Sequence, residues 1–222
     1  MTDKAVIKEI FTSIQGEGPY IGYKQLFIRF CGCNLHCEYC DTDFDRKGAK
    51  EYSIDEILEI MKKNSDCHSV SLTGGEPLLN TGFLKKLLFH CPLPVYLETN
   101  ATLSGELKEV IDYIDYISAD IKLPSCTGIS DLWDEHDSFF ETATQKKLFA
   151  KVVFDENITQ EEITKTCKLG AKYGIEIILQ PRMRDNEFCV SKDFIEHILN
   201  KFLQHYKKVR LIPQVHKFLD VR

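Results

Sequence analysis

The stretch QLFIRFCGCNLHCEYC, residues 25–40, joins a short apolar segment to a loop that is dense in cysteine. The segment from Gln25 to Phe30 predicts a buried strand, because leucine, isoleucine and phenylalanine dominate it. The stretch YSIDEILEIMKKN, residues 52–64, predicts a helix with Ser53 at the N-cap and Glu56 completing a capping box. The cysteine loop therefore lies between a predicted strand and a predicted helix.

The same order of strand and helix recurs along the rest of the chain. The later pairs are SVSL with TGFLKKLLFH, VYLET with LSGELKEVIDY, YISADI with DSFFETATQKKL, FAKVVF with TQEEITKTCKLGAKYG, and IEIILQ with SKDFIEHILNKFLQHY, before a last strand KVRLIP. Such alternation predicts parallel strands joined by crossover helices. We predict an α/β fold, a partial TIM-like barrel of about six parallel strands, with a flat doubly wound sheet as the alternative. No linker rich in proline, glycine or serine interrupts the pattern, so residues 1–222 are predicted to form a single domain.

Composition limits the class of protein. The 222 residues are 43% hydrophobic and carry a net charge of −6, which allows one sizeable core but no basic stripe for nucleic acid. We find neither a leader-like N-terminus nor a run approaching the roughly 18 apolar residues that span a bilayer. We therefore expect a cytoplasmic protein with no nucleic-acid or membrane partner. Nine cysteines in such a protein favour metal or thiolate chemistry over a disulfide framework.

Three cysteines follow the first predicted strand with the spacing C-x3-C-x2-C, namely Cys33, Cys37 and Cys40. A zinc site built on them needs a fourth protein ligand, for which Cys31, His36 and His68 are candidates. An iron-sulfur cube held by three cysteines instead keeps one iron open for another ligand. Thiolates suit both centres, so the spacing alone leaves the two possibilities open.

The cysteine spacing, with the aromatic Tyr39 before the last cysteine, resembles the signature loop of the radical S-adenosylmethionine (SAM) superfamily. The stretch SLTGGEP, residues 71–77, resembles the GGEP element of the same superfamily. Gly74 and Gly75 would let the backbone approach a ligand closely, and Glu76 could accept from an ammonium group. The resemblance implies a radical SAM core with a 4Fe-4S cluster on the three cysteines. SAM would bind the open iron and be cleaved to a 5'-deoxyadenosyl radical.

The longer stretch FTSIQGEGPYIGYKQLFIRFCGCNLHCEYCDT, residues 11–42, is similar to the 7-carboxy-7-deazaguanine synthase family, and the resemblance extends to the closing PQVHKFLDVR. It implies a lyase reaction in queuosine and 7-deazapurine biosynthesis. In that ring contraction, 6-carboxy-5,6,7,8-tetrahydropterin becomes 7-carboxy-7-deazaguanine with loss of ammonia, and SAM is not consumed. A flavodoxin or ferredoxin-type electron donor and a homodimer are also implied.

Substrate contacts are predicted in the segment IQGEG and in the strand that leads to the cysteine loop. Gln15 and Glu17 lie beside glycines and could bind the amide and amino edge of a pterin, although a polar glycine turn is the simpler interpretation. The planar guanidinium of Arg29 suits the substrate carboxylate, and a structural salt bridge is its alternative. By resemblance, the predicted substrate-binding residues are Ile14, Gln15, Gly16, Glu17, Arg29, Thr73, Gln214, His216 and the terminal Arg222.

Cofactor contacts follow from the resemblance alone, which assigns no side chain a catalytic role. The predicted SAM-binding residues are Tyr39, Cys40, Asp41, Gly75, Glu76, Asp120, Ile121, Lys122, Leu179, Gln180, Pro181 and Arg182. The segment ADIK, residues 119–122, departs from the Ser-Pro-Lys turn of many relatives, so the contacts to the ribose are open. Thr42 of the CDT segment matches a family ligand of Mg2+, a cation that prefers hydroxyl, carboxylate and water oxygens.

Two other functions remain open at this point. A radical SAM enzyme that installs a glycyl radical would share the cysteine spacing, but it would consume SAM and need neither QGEG nor CDT. A zinc-stabilised binding module would use the cysteines only to hold a loop. Residues without ligand spacing are predicted to serve packing, namely Cys31, Cys67, Cys91, Cys126, Cys167, Cys189 and Trp133.

Overall fold

A computed structural model describes residues 3–40, 45–184 and 186–221 of the chain. Within these residues, strands form a large mixed sheet and a separate two-stranded hairpin. The strands are β1 (Lys4–Ile14), β2 (Lys24–Phe30), β3 (Lys50–Ser53), β4 (Ser69–Gly74), β5 (Val95–Thr99), β6 (Tyr116–Asp120), β7 (Lys147–Phe154), β8 (Glu176–Pro181), β9 (Met183–Arg184), β10 (Glu187–Phe188) and β11 (Val209–Leu211). The hairpin consists of β9 and β10.

The large sheet has the strand order β11-β8-β7-β6-β5-β4-β2-β1-β3. Every neighbouring pair from β2 to β11 is parallel, which confirms the prediction of parallel strands joined by crossover helices. Sequence analysis misses β1 and β3, which pair antiparallel at one edge. In β1 the apolar residues are interrupted by charged ones, and the strand is only partly buried. Strand β3 is the four-residue segment KEYS.

The helices include the predicted connections between parallel strands and two short ones that were not predicted, Pro124–Thr127 and Val215–Leu219. They are α1 (Ile54–Lys63), α2 (Thr81–Phe89), α3 (Ser104–Val110), α4 (Pro124–Thr127), α5 (Trp133–Ala143), α6 (Gln160–Tyr173), α7 (Lys192–His205) and α8 (Val215–Leu219), with 3-10 turns at Gly18–Tyr20, Pro77–Asn80 and Ile111–Tyr113. The predicted capping box at the start of α1 is present, because Ser53 and Glu56 each accept the other's backbone N–H.

The helix predicted over DSFFETATQKKL has different boundaries in the structure. Helix α5 starts earlier, at Trp133, and ends at Ala143, so that Lys147 already belongs to β7. The buried face of α5 explains the shift, because His136, Phe139 and Phe140 contact the core at helical spacing and extend it upstream.

The core lies between the sheet and its helices, where side chains such as Leu72 are fully buried. Burial of one such leucine contributes roughly 2 kcal/mol to folding. A second, smaller cluster contains Tyr96 and Phe149 with Tyr20 and Tyr116 packed against them, near the amino ends of the strands. The amino end is thus filled with aromatic rings, and the carboxyl ends are left for ligand binding. No helix in the described part of the chain combines the length and apolar character needed to cross a membrane.

Candidate active site

A cavity of about 610 Å3 opens where the parallel strands end, within the size range of small-molecule sites. Its wall draws on the cysteine loop, the IQGEG segment, most of the strand ends and the C-terminal segment. Most of the predicted site residues line it, namely Ile14, Gln15, Gly16, Glu17, Arg29, Cys33, Cys37, Tyr39, Cys40, Thr73, Gly75, Asp120, Lys122, Gln180, Arg182, Gln214 and His216. Asp41, Thr42 and Arg222 lie outside the described residues.

The three predicted cluster ligands all face this cavity. All nine cysteines lie within the described residues, and none forms a disulfide. Burial raises the pKa of the Cys33 and Cys37 thiols, with backbone N–H donation from Leu35 to Cys33 acting in the opposite direction. Cys40 is more exposed than the other two. The donor set therefore consists of three thiols on one loop at the mouth of a cavity.

This donor set fits an open iron-sulfur cube, which takes three thiolates from the protein. In the described ranges, no three His, Cys, Asp or Glu side chains are grouped tightly enough to hold one metal ion. Three thiolates that each bind a different iron of a cube do not need to converge on one point. His68, a candidate fourth zinc ligand, lies just before β4 at the amino end of the sheet. Its ring contacts that of Tyr23 in a tilted arrangement, with ring centroids 4.1 Å apart.

The two glycines of TGGEP bring β4 against the cysteine loop. The backbone N–H of Gly75 donates to the Phe30 carbonyl at 3.1 Å, and that of Glu76 donates to the Gly32 carbonyl at 2.8 Å. A Cβ atom on Gly75 would lie 1.8 Å from the Gly32 oxygen, and Gly74 has a φ of +120°. Both glycines also line the cavity, so the prediction that they admit a ligand stays open, and the close contact with the cysteine loop is a further role.

Glu76, a predicted SAM contact, lies behind the cavity wall. Its side chain is fully buried and does not line the cavity. One carboxylate oxygen accepts from the Leu78 N–H at 3.1 Å and the Thr99 hydroxyl at 2.9 Å, and the other accepts from the Asn100 N–H at 2.8 Å. Burial raises the pKa of Glu76 to about 7, against these hydrogen bonds. The carboxylate holds the turn after β5 instead of contacting the cavity.

Three further predicted SAM contacts, Ile121, Leu179 and Pro181, are also buried and do not line the cavity. The reason is the two-residue period of extended chain, in which neighbouring side chains face opposite sides. Asp120 and Lys122 therefore face the cavity on either side of Ile121, and Gln180 and Arg182 do so on either side of Pro181. Both predicted segments border the cavity, and the alternation decides which of their side chains face it.

A row of alternating charges crosses the cavity floor. Lys151 pairs with Glu17 and with Asp120, whose Oδ1 lies 3.2 Å from the lysine Nζ. Lys122 lies 2.8 Å from the other Asp120 oxygen and donates to the Tyr39 hydroxyl at 3.2 Å. The row thus connects the IQGEG segment to the cysteine loop.

The charges in this row keep one another ionised. Burial opposes ionisation of Glu17, but the adjacent Lys151 and a hydrogen bond from Gln214 lower the Glu17 pKa to about 2. Burial likewise opposes the charge on Lys122 and Lys151, yet Asp120 and the other nearby anionic groups hold both lysine pKa values well above the usual range. The floor of the cavity therefore presents fixed charges at neutral pH.

Glu98, which the sequence motifs do not single out, orients side chains of the IQGEG segment and of β4. The Gln15 side-chain amide donates to one Glu98 oxygen at 2.8 Å, and the Thr73 hydroxyl donates to the other at 2.8 Å. Sequence analysis also misses Lys151 and Asn100. For Glu98 and Lys151, the sequence feature that could have indicated a role in the site is a charged residue within an apolar strand, in VYLET and FAKVVF respectively.

Arg29 forms a salt bridge and also lies at the cavity wall. It lines the cavity, and its Nε lies 2.7 Å from a Glu9 oxygen on the neighbouring strand β1. Both side chains of this ion pair are about one quarter exposed, at 23% and 26%. The pair fixes the guanidinium at the cavity wall.

The C-terminal segment packs onto the IQGEG segment. The Val215 N–H donates to the Gly16 carbonyl at 2.8 Å, and the Gln214 side chain donates to Glu17 at 2.8 Å. A Cβ atom on Gly16 would lie 2.3 Å from Nδ1 of His216. Glycine at position 16 therefore allows His216 to approach the backbone at the edge of the cavity.

His136 lies behind the cavity and joins the segment after β6 to the segment after β5. Its Nε2 accepts from the Lys122 backbone N–H at 3.1 Å, so its Nδ1 donates to the Ala101 carbonyl at 3.1 Å. Burial lowers the pKa of His136 to about 4, with the charge of Lys122 acting in the same direction and Asp120 and the bond to Ala101 opposing it. The neutral ring is thus part of the folded state.

This burial predicts a pH-dependent stability. The folded pKa of His136 is below its unfolded value, so the contribution of the neutral ring is complete above pH 6.5 and is lost as pH falls toward 4. We expect the free energy of unfolding, measured with urea at pH 7 and pH 4.5, to fall less for His136→Gln than for the wild type. The full contribution is about 3 kcal/mol. For His197→Gln, at an exposed position of α7, the free energy of unfolding should fall as much as for the wild type. An equal fall in all three proteins would contradict the stabilising role of the neutral His136 ring.

Comparisons with known proteins identify the family. The family model described as the Radical SAM superfamily matches residues 27–179. A 7-carboxy-7-deazaguanine synthase from Geobacter sulfurreducens is 37% identical over 97% of both chains. One from Archaeoglobus fulgidus is 33% identical over 99% of this chain and 100% of its own.

A solved structure supports the fold. The crystal structure of QueE from Escherichia coli covers 96% of this chain and 95% of its own with a TM-score of 0.66, at 19% identity. At that identity the likeness concerns the architecture, which is that of a partial barrel with a mostly parallel sheet. The sequence comparisons identify the family, and the structural comparison supports the fold. The chain therefore belongs to the radical SAM superfamily and, within it, to the 7-carboxy-7-deazaguanine synthase family.

Proposed function

We propose that this chain converts 6-carboxy-5,6,7,8-tetrahydropterin to 7-carboxy-7-deazaguanine with loss of ammonia, as a single radical SAM domain over residues 1–222. The observation that carries the proposal is that Cys33, Cys37 and Cys40 share one cavity with a buried row of charges and with Arg29. The cavity thus combines a site for a cluster with polar groups suited to a charged, hydrogen-bonding substrate. Membership of the family supports the same reaction.

The superfamily implies a 4Fe-4S cluster and SAM, and the residues present fit them. When bound, the reduced cluster supplies the electron that cleaves SAM and so generates the radical that takes hydrogen from the substrate. The three thiols would hold the cluster. Residues of the surrounding wall would hold SAM, namely Tyr39, Gly75, Asp120, Lys122, Gln180 and Arg182. The side-chain oxygen of Gln180 is buried and lacks a hydrogen-bond partner in the described residues, so it can accept from a ligand.

The opposite wall would bind the substrate. Glu17 stays ionised and can accept from the amino edge of a pterin, while the Gln15 amide, oriented by Glu98, can bind the adjoining amide. Arg29, held by Glu9, would bind the substrate carboxylate, because a guanidinium forms strong charge-assisted bonds with carboxylates. This orientation would place one carbon of the substrate toward the cluster, and such positioning contributes much of the rate enhancement of an enzyme.

Other features of the proposal rest on the family alone. We propose that Thr42, outside the described residues, ligates a Mg2+ ion at the substrate carboxylate, and that the terminal Arg222 lies near the substrate. A homodimer, a flavodoxin or ferredoxin-type electron donor and a cytoplasmic location complete it.

The test is anaerobic reconstitution with iron and sulfide, followed by incubation with reductant, SAM and 6-carboxytetrahydropterin. We expect the deazaguanine product and ammonia in equal amounts, with SAM regenerated. A glycyl-radical activating enzyme would instead release 5'-deoxyadenosine in step with turnover. A colourless protein that binds zinc and leaves the substrate unchanged would support the alternative function, a zinc-stabilised binding module.

The cluster ligands predict a sharp division among the cysteines. Replacing Cys33, Cys37 or Cys40 by alanine should remove the cluster, because each variant keeps only two of the three thiolates that bind the cube to the protein. Cys31→Ala is the matched control, since this thiol lies two residues before Cys33 but contacts the Asp45 carbonyl at 3.3 Å. Bound iron per chain and the visible spectrum measure the outcome. Loss of iron from Cys31→Ala as complete as from Cys37→Ala would reject the assignment.

A further inference from the structure

Asn100 follows strand β5 and is almost fully buried at the cavity wall, with 6% exposure. Its side-chain oxygen accepts from the Thr102 backbone N–H at 3.2 Å and from the Thr102 hydroxyl at 2.6 Å. Because a backbone N–H can only donate, this bond fixes which end of the amide is oxygen. The side-chain NH2 group of Asn100 therefore points the other way, toward the cysteine loop.

The two hydrogens of that NH2 group have two acceptors on the loop. Nδ2 of Asn100 lies 2.8 Å from the Asn34 side-chain oxygen and 3.7 Å from the sulfur of Cys33. The same sulfur accepts from the Leu35 backbone N–H at 3.4 Å. Cys33 thus has one donor from its own loop and one from the turn that follows β5.

The position of Asn100 is itself fixed from behind. Its backbone N–H donates to the buried Glu76 carboxylate at 2.8 Å, and the same carboxylate accepts from the Thr99 hydroxyl. Glu76 also donates its own backbone N–H to Gly32, on the cysteine loop. The loop and the Asn100 turn are therefore held by one residue, and their separation cannot vary freely.

We propose that Asn100 is a positioning residue that donates a hydrogen bond to the Cys33 thiolate and thereby raises the reduction potential of the cluster, an inference that rests on the proposed function. Reduction by one electron from an external donor increases the negative charge on the cluster and its cysteine sulfurs. An N–H donor stabilises that more negative state more than the oxidised one. Losing the donor should make the cluster harder to reduce.

The test is a redox titration of the anaerobically reconstituted holoenzyme with dithionite, followed by electron paramagnetic resonance of the reduced cluster. For Asn100→Ala we expect unchanged iron content but a more negative midpoint. At a fixed ambient potential, the ratio of reduced to oxidised cluster should fall about threefold, the effect of one weak hydrogen bond. Thr102→Val perturbs the same turn but leaves the donor to Cys33 in place, so its midpoint should match the wild type.

A second variant covers the case in which Asn100→Ala does not retain the cluster. Asn100→Asp keeps the oxygen that accepts from Thr102 but places an acceptor, not a donor, beside Cys33, so its midpoint should also become more negative. A wild-type midpoint in a loaded Asn100 variant, or an equal shift in Thr102→Val, would overturn the inference alone. A wild-type chain that binds no cluster would overturn the proposed function together with it.

Discussion

Replacing Gly75 by alanine is expected to abolish cluster binding. The new Cβ would lie 1.8 Å from the Gly32 oxygen and 3.1 Å from the Cys33 nitrogen, so the cysteine loop would have to move away from β4. The neighbouring atoms are backbone and cannot rotate aside. Overpacking of this kind costs about 1–3 kcal/mol, and backbone contact places Gly75→Ala at the upper end of that range. Iron content after reconstitution and the urea midpoint measure the two effects.

Gly82→Ala is the matched control for this variant. Gly82 lies in helix α2, and a Cβ atom there would meet nothing within 4 Å. Alanine in a helix is favoured over glycine by about 0.5–1 kcal/mol, so this variant should gain stability and keep its cluster. A Gly75→Ala protein with wild-type iron content would show that the close contact between β4 and the loop is not required.

Replacing Lys151 by methionine should strongly destabilise the chain and weaken substrate binding. The lysine side chain is 11% exposed and sits between the carboxylates of Glu17 and Asp120. Removing one partner of a buried ion pair typically costs about 3–5 kcal/mol, because the remaining charge is left buried and uncompensated. The Glu17 pKa should rise once its main stabilising charge is gone. Urea unfolding and substrate affinity, each measured anaerobically, report the two effects.

A double replacement distinguishes this explanation from simple loss of packing. Asp120 keeps Lys122 at 2.8 Å, so Glu17→Gln combined with Lys151→Met leaves no unpaired carboxylate and should regain part of the stability. Lys147→Met, at an exposed position of the same strand, should change stability by no more than about 0.5 kcal/mol. If the double variant were as unstable as Lys151→Met, the charge would not be the cause.

The parallel part of the sheet could be predicted from sequence because each strand and its helix are adjacent along the chain. Strands β1 and β3 could not, since β1 mixes apolar with charged residues and is only partly buried, and β3 is the four-residue segment KEYS. Most of the residues predicted from the motifs line the cavity. The direction of each side chain did not, as Gln180 facing the cavity beside buried Leu179 demonstrates.

The residues that sequence analysis missed share a physical cause. Glu98 and Lys151 act through partners that lie far away in sequence, at positions 15, 17, 73 and 120. A motif describes residues that are close along the chain, whereas a buried charge is stabilised by whatever the fold brings next to it. The presence of such charges in apolar strands was visible, but their partners were not.

The incomplete barrel leaves two edge strands, β3 and β11, which the described residues do not pair with each other. Open edges offer unpaired backbone groups to other chains and so promote aggregation. Here both edges are short, with four residues in β3 and three in β11. Both also carry charge, through Lys50 and Glu51 on one side and through Arg210, paired with Glu176, on the other. The incomplete barrel is thus protected against edge-to-edge association between chains.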